Sequence, residues 1–458
     1  MAHDLYIGGL SMSDVTVTGW GRTNPARALL VECDHQSDVE LVISNASQRG
    51  VLVRGLGRSY GDAAQVSGGH LMSVIGRNIS LDPATGHVTV DAGVSIDELL
   101  RYIVPKGWFV PVTPGTRYVT IGGAIAADIH GKNHHSDGSI GQWVESLNLV
   151  TAVDSLISVS PASDPHLFWA TIGGMGLTGV IMSAQIKLIP IETPMMEVTT
   201  RRYNGIERVM EAMMSHDADH RYSVAWVDTT VSGGRLGRGV VTWGDHASSE
   251  RLSVGRGRRF EKYMASQRLS VPEFAGSRRA IRRWNAVAFS ELWFRSAPRE
   301  RTDELQSIPK FFHPLDAVGN WNRLYGRRGF VQYQFVVPED RPDVVVDALR
   351  RVASERPADF LNVLKRFGDA GDGMLSFPMR GWTLTMDLPV TDGLSQLVHR
   401  LDELVIEAGG RIYLAKDGCS SPRVVAAGYP RLDEWRNVRS RVDPNGIFQS
   451  DLSRRLGL

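Results

Sequence analysis

Residues 114–135, Pro-Gly-Thr-Arg-Tyr-Val-Thr-Ile-Gly-Gly-Ala-Ile-Ala-Ala-Asp-Ile-His-Gly-Lys-Asn-His-His, constrain this chain more than any other stretch. Pro114-Gly115 makes a turn, and Gly122-Gly123 removes side chains where the backbone must approach something flat or anionic. Ala124, Ala126 and Ala127 continue that small surface as a helix begins, and its first turn is expected to leave several backbone N–H groups free. Polarity then arrives at once in Asp128, His130, Lys132, Asn133, His134 and His135. A smooth wall followed by a dense polar cluster suits a large ligand with a phosphate end and a reactive ring. The competing reading is a Gly/Ala-packed helix ending in a solvated loop.

Two more glycine-rich stretches flank it. A short strand at Val51–Arg54 leads into Gly55-Leu56-Gly57-Arg58-Ser59-Tyr60-Gly61-Asp62, a loop able to gather consecutive N–H groups into an anion-binding nest. Its spacing is wrong for a dinucleotide fingerprint. Gly174-x-Gly176-x-x-Gly179 has the right spacing, but it follows a helix at 164–171 and precedes a strand at 180–188. A nicotinamide-binding turn runs the other way, from strand to helix. Between these stretches, strands are expected at 71–76, 87–93, 144–150 and 156–159. Ser95 and Glu98 have the capping-box spacing for a helix that Pro105 and Gly107 end.

Taken in order, these stretches resemble the FAD-binding flavoproteins of the vanillyl-alcohol-oxidase, or p-cresol methylhydroxylase (PCMH), type. The resemblance covers residues 18–190 and the tail, where Asp443-Pro-Asn-Gly-Ile-Phe-Gln-Ser-Asp-Leu452 looks like the family's closing segment. More narrowly, Arg54–Asp62, Ala127–His135 and Leu167–Gly174 look like the oxidising flavoprotein subunits of decaprenylphosphoryl-ribose 2-epimerases. The fold this implies is α+β: a two-subdomain PCMH-type FAD domain over 1–190 and a substrate domain over 191–415 built on an antiparallel sheet covered by helices. A tail, 416–458, then returns to the FAD domain.

The resemblance also implies site residues. FAD would lie along Arg54, Gly55, Leu56, Gly57, Arg58, Ser59, Tyr60, Gly61 and Asp62. It would continue past Gly115, Thr120, Ile121, Gly122, Gly123, Ala127, Asp128, Ile129 and His130, with Ile181 and Tyr413 completing its surroundings. Lys416, Tyr60, His130, Gln334 and Lys365 match the catalytic, ring-facing positions, and Trp226, Phe312, Gln332, Thr383 and Thr385 the substrate pocket. Many flavin oxidases of the wider fold join flavin covalently to a histidine in the first loop. Arg58 stands there in this chain, which implies non-covalent FAD. The related proteins carry cysteine at positions 127 and 385, asparagine at 383 and tyrosine at 312, where this chain has Ala127, Thr385, Thr383 and Phe312. The implied reaction is oxidation of the ribose 2-hydroxyl of a polyprenylphosphoryl ribose, with a separate NAD(P)H-dependent keto-reductase completing the epimerisation to the arabinose form. The alternatives are oxidation of a free or nucleotide-linked sugar or polyol, and a non-catalytic flavin-fold scaffold.

Past Pro190 the pattern changes. A helix over 206–214 is rich in methionine, which serves as core filling. Residues 235–301 carry fifteen Arg/Lys against six acids, an excess of +9. Such a run reads as a solvated surface insertion or as a basic lid facing a lipid phosphate or an anionic membrane. The order strand 329–337, helix 340–354, strands 360–367 and 382–388, helix 394–408 gives a β-α-β-β-α-β unit whose first strand places Gln332 and Gln334 on one face.

Composition sets the remaining bounds. The formal charge of +1 over 458 residues gives no overall attraction to nucleic acid, and two cysteines build neither a disulfide framework nor a metal site. The N-terminus lacks a basic n-region and a long apolar core, and no run approaches about 18 uninterrupted apolar residues. A cytoplasmic protein is therefore expected. The lipid substrate would bring it peripherally to the inner membrane, and a periplasmic place stays open.

Overall fold

The computed structural model describes residues 5–253, 263, 265–267, 269–273, 276, 280–355, 359 and 361–458. Arg256, Arg258, Arg259, Lys262, Arg268, Arg278 and Arg279, seven of the fifteen basic residues within 235–301, lie outside the described residues, as does Phe360.

Two five-stranded sheets make up the N-terminal part. The first runs Leu5–Ile7, Leu10–Val17, Ala26–Cys33, His70–Val74, Val51–Val53, and the second Leu156–Val159, Val144–Val150, Val180–Lys187, His87–Asp91, Ile79–Leu81. Its helices form where the sequence places them. Ile96–Ile103 starts at Ser95, whose hydroxyl accepts from the Glu98 N–H while the Glu98 carboxylate accepts from the Ser95 N–H, so both orphan donors are satisfied. Pro165–Thr171 is capped by Asp164. The hairpin Leu5–Val17 escapes sequence reading because its strands are mostly exposed and bury too little for a clear apolar alternation.

The C-terminal part is one eight-stranded sheet. Its order is Glu300–Ser307, Met195–Tyr203, Gly239–His246, Tyr222–Val227, Asn362–Phe367, Gly381–Pro389, Phe330–Pro338, Arg411–Ile412. All seven pairings are antiparallel. Tyr333, Phe335, Leu364, Leu384 and Met386 pack with the helices Ile206–His216, Pro342–Glu355 and Leu394–Glu407 on one face. The period of two sends Gln332, Gln334, Lys365 and Thr385 to the other face, toward the N-terminal part. Residues on both faces of Gly381–Pro389 are buried, so this sheet is covered on both sides.

The tail ties the parts together. Helices Pro422–Gly428 and Leu432–Val442 precede Phe448, which bridges Val51, and the Asp451 carboxylate accepts from the Ser67 N–H and hydroxyl at 2.8 and 2.7 Å. Arg455 clamps both Asp62 oxygens at 2.7 and 2.8 Å and reaches Asp417 at 3.0 Å.

Candidate active site

A cavity of about 1100 Å³ lies between the three glycine-rich stretches and the face of the large sheet that carries Gln332, Gln334, Lys365 and Thr385. That exceeds the roughly 300–1,000 Å³ of an ordinary small-molecule site. Its walls include Gly55–Tyr60, Gly115, Thr120, Gly122, Gly123, Ala127, Ile129, His130 and Ile181 from the N-terminal part. Gln332, Gln334, Lys365, Thr385 and Trp226 come from the sheet, Phe312 from the helix Ile308–Phe312, and Tyr413 and Lys416 from the tail.

One end is a cluster of buried cations around His130. The His130 Nε2 lies 3.0 Å from the Gln334 amide nitrogen and its Nδ1 3.4 Å from Lys365 Nζ, while Phe367 and Tyr413 close on the ring. Burial and the nearby Lys365 hold the imidazole well below its ordinary pKa, so it is neutral. A neutral ring donates from one nitrogen only. With Lys365 as an ammonium, Nδ1 accepts and the Gln334 amide oxygen takes the Nε2–H.

Lys416 closes the cluster from the tail. Its ammonium sits 3.8 Å from the Tyr60 ring centroid, and burial first, then Lys365, lowers it to about 7, against a raising effect of Asp387. Burial lowers Lys365 to about 8 and Lys132 to about 7. Lys416 follows the Arg411–Ile412 strand in a tight turn rather than lying on a strand. Its N–H and that of Asp417 both bond the Tyr413 carbonyl, at 2.9 and 3.0 Å, and the Tyr413 N–H bonds the Gln334 carbonyl at 3.0 Å. The Tyr60 N–H bonds the Ala415 carbonyl at 2.9 Å, which locks the first loop to this turn.

Five residues expected at the site do not reach the cavity. Gly61 is small because a Cβ there would overlap the Asp417 carbonyl, and Asp62 is spent on Arg455. Ile121 points into the core. Asp128 is turned inward, accepting from Ser139 at 2.8 Å, the Gly141 N–H at 2.9 Å and Ser376, and so braces the loop carrying His130. Thr383 sits behind Gln334 and hydrogen-bonds its amide at 3.1 Å. Of the loop residues that do line the cavity, Arg54 is held by the Ala64 and Thr18 carbonyls and packs structurally.

Sequence reasoning also missed two groups. Lys132 belongs to the polar cluster after the helix and donates to the Phe311 carbonyl. Asp387 lies behind the cavity, two residues beyond Thr385 on the same strand face. It accepts from Gln332 at 2.6 Å, and burial raises its carboxyl to about 7. The strand period was the available signal for it.

Of the two stretches expected to offer free N–H groups, the helix at Ile121 does not and the first glycine-rich loop does. In the helix Ile121–Ala126, the Ile121 and Gly122 N–H groups bond Val94 and Ala92 carbonyls, and Gly123 bonds the Thr120 side chain. In contrast, the N–H groups of Gly55, Leu56, Gly57, Arg58 and Ser59 find no acceptor among the described residues. Gly57 adopts φ +62°, which bends them into one concave run. Five consecutive unspent donors beside three buried lysines suit a pyrophosphate and an anionic ring. Gly115 and Gly176 line the cavity, and an added Cβ at either would meet no protein atom and would narrow it. The residues present fit FAD.

Residues 27–160 match the family described as FAD binding domain. Over 450 residues the chain is 41% identical to the decaprenylphosphoryl-beta-D-ribose oxidase of Mycolicibacterium smegmatis, covering 96% of this chain and 97% of that one. It is 21% identical to L-gulono-1,4-lactone dehydrogenase of Mycobacterium tuberculosis over 94% of this chain and 96% of that one. An uncharacterised protein of Streptomyces coelicolor is 39% identical over 80% of this chain and all of its own length. The chain is an FAD-dependent oxidoreductase, and it belongs to the family of FAD-binding flavoproteins that includes decaprenylphosphoryl-beta-D-ribose oxidase.

Proposed function

We propose that this protein oxidises the 2-hydroxyl of decaprenylphosphoryl-β-D-ribose to the 2-keto sugar, the first half of epimerisation to the arabinose form used in cell-wall arabinan. The observation that carries this is the set Lys416, Lys365, His130 and Gln334, converging in a cavity of about 1100 Å³ that the glycine-rich loops also line. The near-full-length likeness to a decaprenylphosphoryl-beta-D-ribose oxidase supplies the substrate class.

FAD, when bound, supplies hydride acceptance from the carbinol carbon. Lys416, poised at about 7, takes the hydroxyl proton as the hydride leaves. Its stacking on Tyr60 fixes the direction of Nζ, and the turn bonded to Gln334 fixes the turn's position against the sheet. His130 is too weak a base for that role and instead orients the Gln334 amide toward sugar hydroxyls. Lys365 places positive charge where the substrate phosphate or a developing oxyanion lies. The loop carrying Arg58 holds FAD without a covalent link, since it offers no histidine and both His130 nitrogens are engaged.

A keto sugar made here needs hydride returned from the opposite face, so an NAD(P)H-dependent reductase acts next. The lipid-linked substrate brings the protein peripherally to a membrane. Among the described residues, no helix is long and apolar enough to cross one. The test is anaerobic mixing of the purified protein with a panel of polyprenylphosphoryl and free sugars, followed by flavin absorbance. Bleaching by the polyprenylphosphoryl ribose alone is expected. Bleaching by a free or nucleotide-linked sugar or polyol would transfer the assignment to that substrate, and no bleaching by any would leave a non-catalytic scaffold.

A further inference from the structure

The helix Arg283–Ser296 breaks the usual pattern of a surface helix. Ala286, Ser290 and Phe294, four residues apart, are its buried stripe, and they are small or few for a 14-residue helix. The large apolar side chains point the other way: Trp284 is 71% exposed, Leu292 70%, Trp293 48% and Phe289 42%. Trp284 and Leu292 sit eight residues apart on the outermost line, with Phe289 and Trp293 stacked beside them at 6.1 Å and 13°. Among the described residues, nothing covers Trp284 and Leu292, and side chains of this size left in water signal a missing partner surface.

Two further observations say what covers it. The flanks are basic: Arg295 is paired with Glu291 and Arg301 with Glu304, but Arg282, Arg283 and Arg299 have no carboxylate partner among the described residues. Apolar and aromatic side chains with arginines alongside suit the boundary between acyl chains and anionic headgroups. Phe289, Trp293, Ser296, Pro298 and Arg301 also line the mouth of the active-site cavity. The exposed face is therefore continuous with the route by which a lipid-linked sugar enters.

We propose that Arg283–Ser296 is an interfacial helix that docks the cavity mouth on an anionic phospholipid bilayer, with Trp284 and Leu292 inserted among the lipids and the flanking arginines on the headgroups. This rests on the lipid-linked substrate reading and deepens it by naming the docking element. Trp284 and Leu292 lie outside the cavity lining, so they can be changed without touching the chemistry.

The experiment uses the FAD-loaded full chain and its Trp284→Ser/Leu292→Ser variant in vesicle flotation. One set of vesicles is phosphatidylcholine with phosphatidylglycerol, the other phosphatidylcholine alone. The wild type is expected to float with the anionic vesicles, to be released by added salt, and to bind at least about tenfold more tightly than the variant. Reduction of the flavin by a short-chain, water-soluble polyprenylphosphoryl ribose should be the same in both proteins, while oxidation of the long-chain substrate in vesicles falls at least about tenfold in the variant. Equal flotation of the two proteins, or no flotation of the wild type, overturns the proposal and returns this face to a protein partner. Flotation without any sugar oxidation would sustain the docking surface and overturn the substrate reading instead.

Discussion

Replacing Lys416 by methionine separates chemistry from cofactor retention. Methionine keeps the unbranched bulk against the Tyr60 ring and removes the titrating nitrogen. The turn should persist, because it is held by backbone bonds to Tyr413 and Tyr60 and not by the ammonium. Stability should hold or rise, since a lysine brought down from 10.5 to about 7 carries a burial cost. The sign follows from the direction. With the folded pKa below the unfolded one, the cost is complete below about pH 7 and disappears as pH rises toward 10.5, so the variant's gain in the cofactor-free protein should shrink over that window. A positioned general base typically contributes about 10²–10⁴ in rate. Anaerobic stopped-flow reduction of the bound flavin should therefore slow at least about a hundredfold. In the wild type that rate should rise with pH, with a midpoint at or above about 7, because an anionic occupant favours the ammonium. The variant should lose this limb. Loss of FAD on purification would make the lysine a cofactor-binding residue, and near-normal reduction would show that the active site lies elsewhere. A wild-type rate that instead falls as pH rises through 7 would mean that the cation, not the free amine, does the work.

Other outcomes follow from the same geometry. Acid precipitation should release all the flavin into the supernatant, and yellow colour left in the pellet would refute non-covalent binding at the Arg58 loop. Asp387→Asn removes the carboxylate that favours the Lys416 ammonium, so the midpoint of the pH–rate profile should move to lower pH; an unmoved midpoint would show the two groups do not communicate. Arg455→Met leaves Asp62 and Asp417 buried without their shared cation and should cost roughly 3–5 kcal/mol in denaturant unfolding, with a cost under about 1 kcal/mol refuting the clamp.

Local signals carried much of this structure. The capping box at Ser95, the period-two strand holding Gln332 and Gln334, and the β-α-β-β-α-β order after residue 329 all rest on neighbours within a few residues, and all form. What the sequence hid is set by contacts between distant segments. The Ala92 and Val94 carbonyls consume N–H groups of the helix at Ile121, so of the two donor sets read from the sequence only that of the Gly55–Ser59 loop is free. Asp128 looks like a site residue in the chain but is drawn inward by Ser376, 248 positions away. The match of Lys416 to Tyr60 depends on a tail that no spacing rule connects to the first loop.

The electrostatics explain why the site takes this form. Lys132, Lys365 and Lys416 are each pulled down by burial, and Asp387 offsets only part of that for Lys416. Placing three such side chains around one cavity works against the stability of the protein without its cofactor. The cost is recovered when an anionic occupant enters, because each lysine then regains a partner and its ammonium is favoured again. With its pKa brought down to about 7 before the occupant enters, Lys416 sheds a proton more readily than an ordinary lysine, even after the occupant raises it again. An apolar replacement of all three would remove that burial cost together with the positive charge offered to an anionic occupant. The departures from ordinary burial rules therefore mark the place where selection has favoured function over stability.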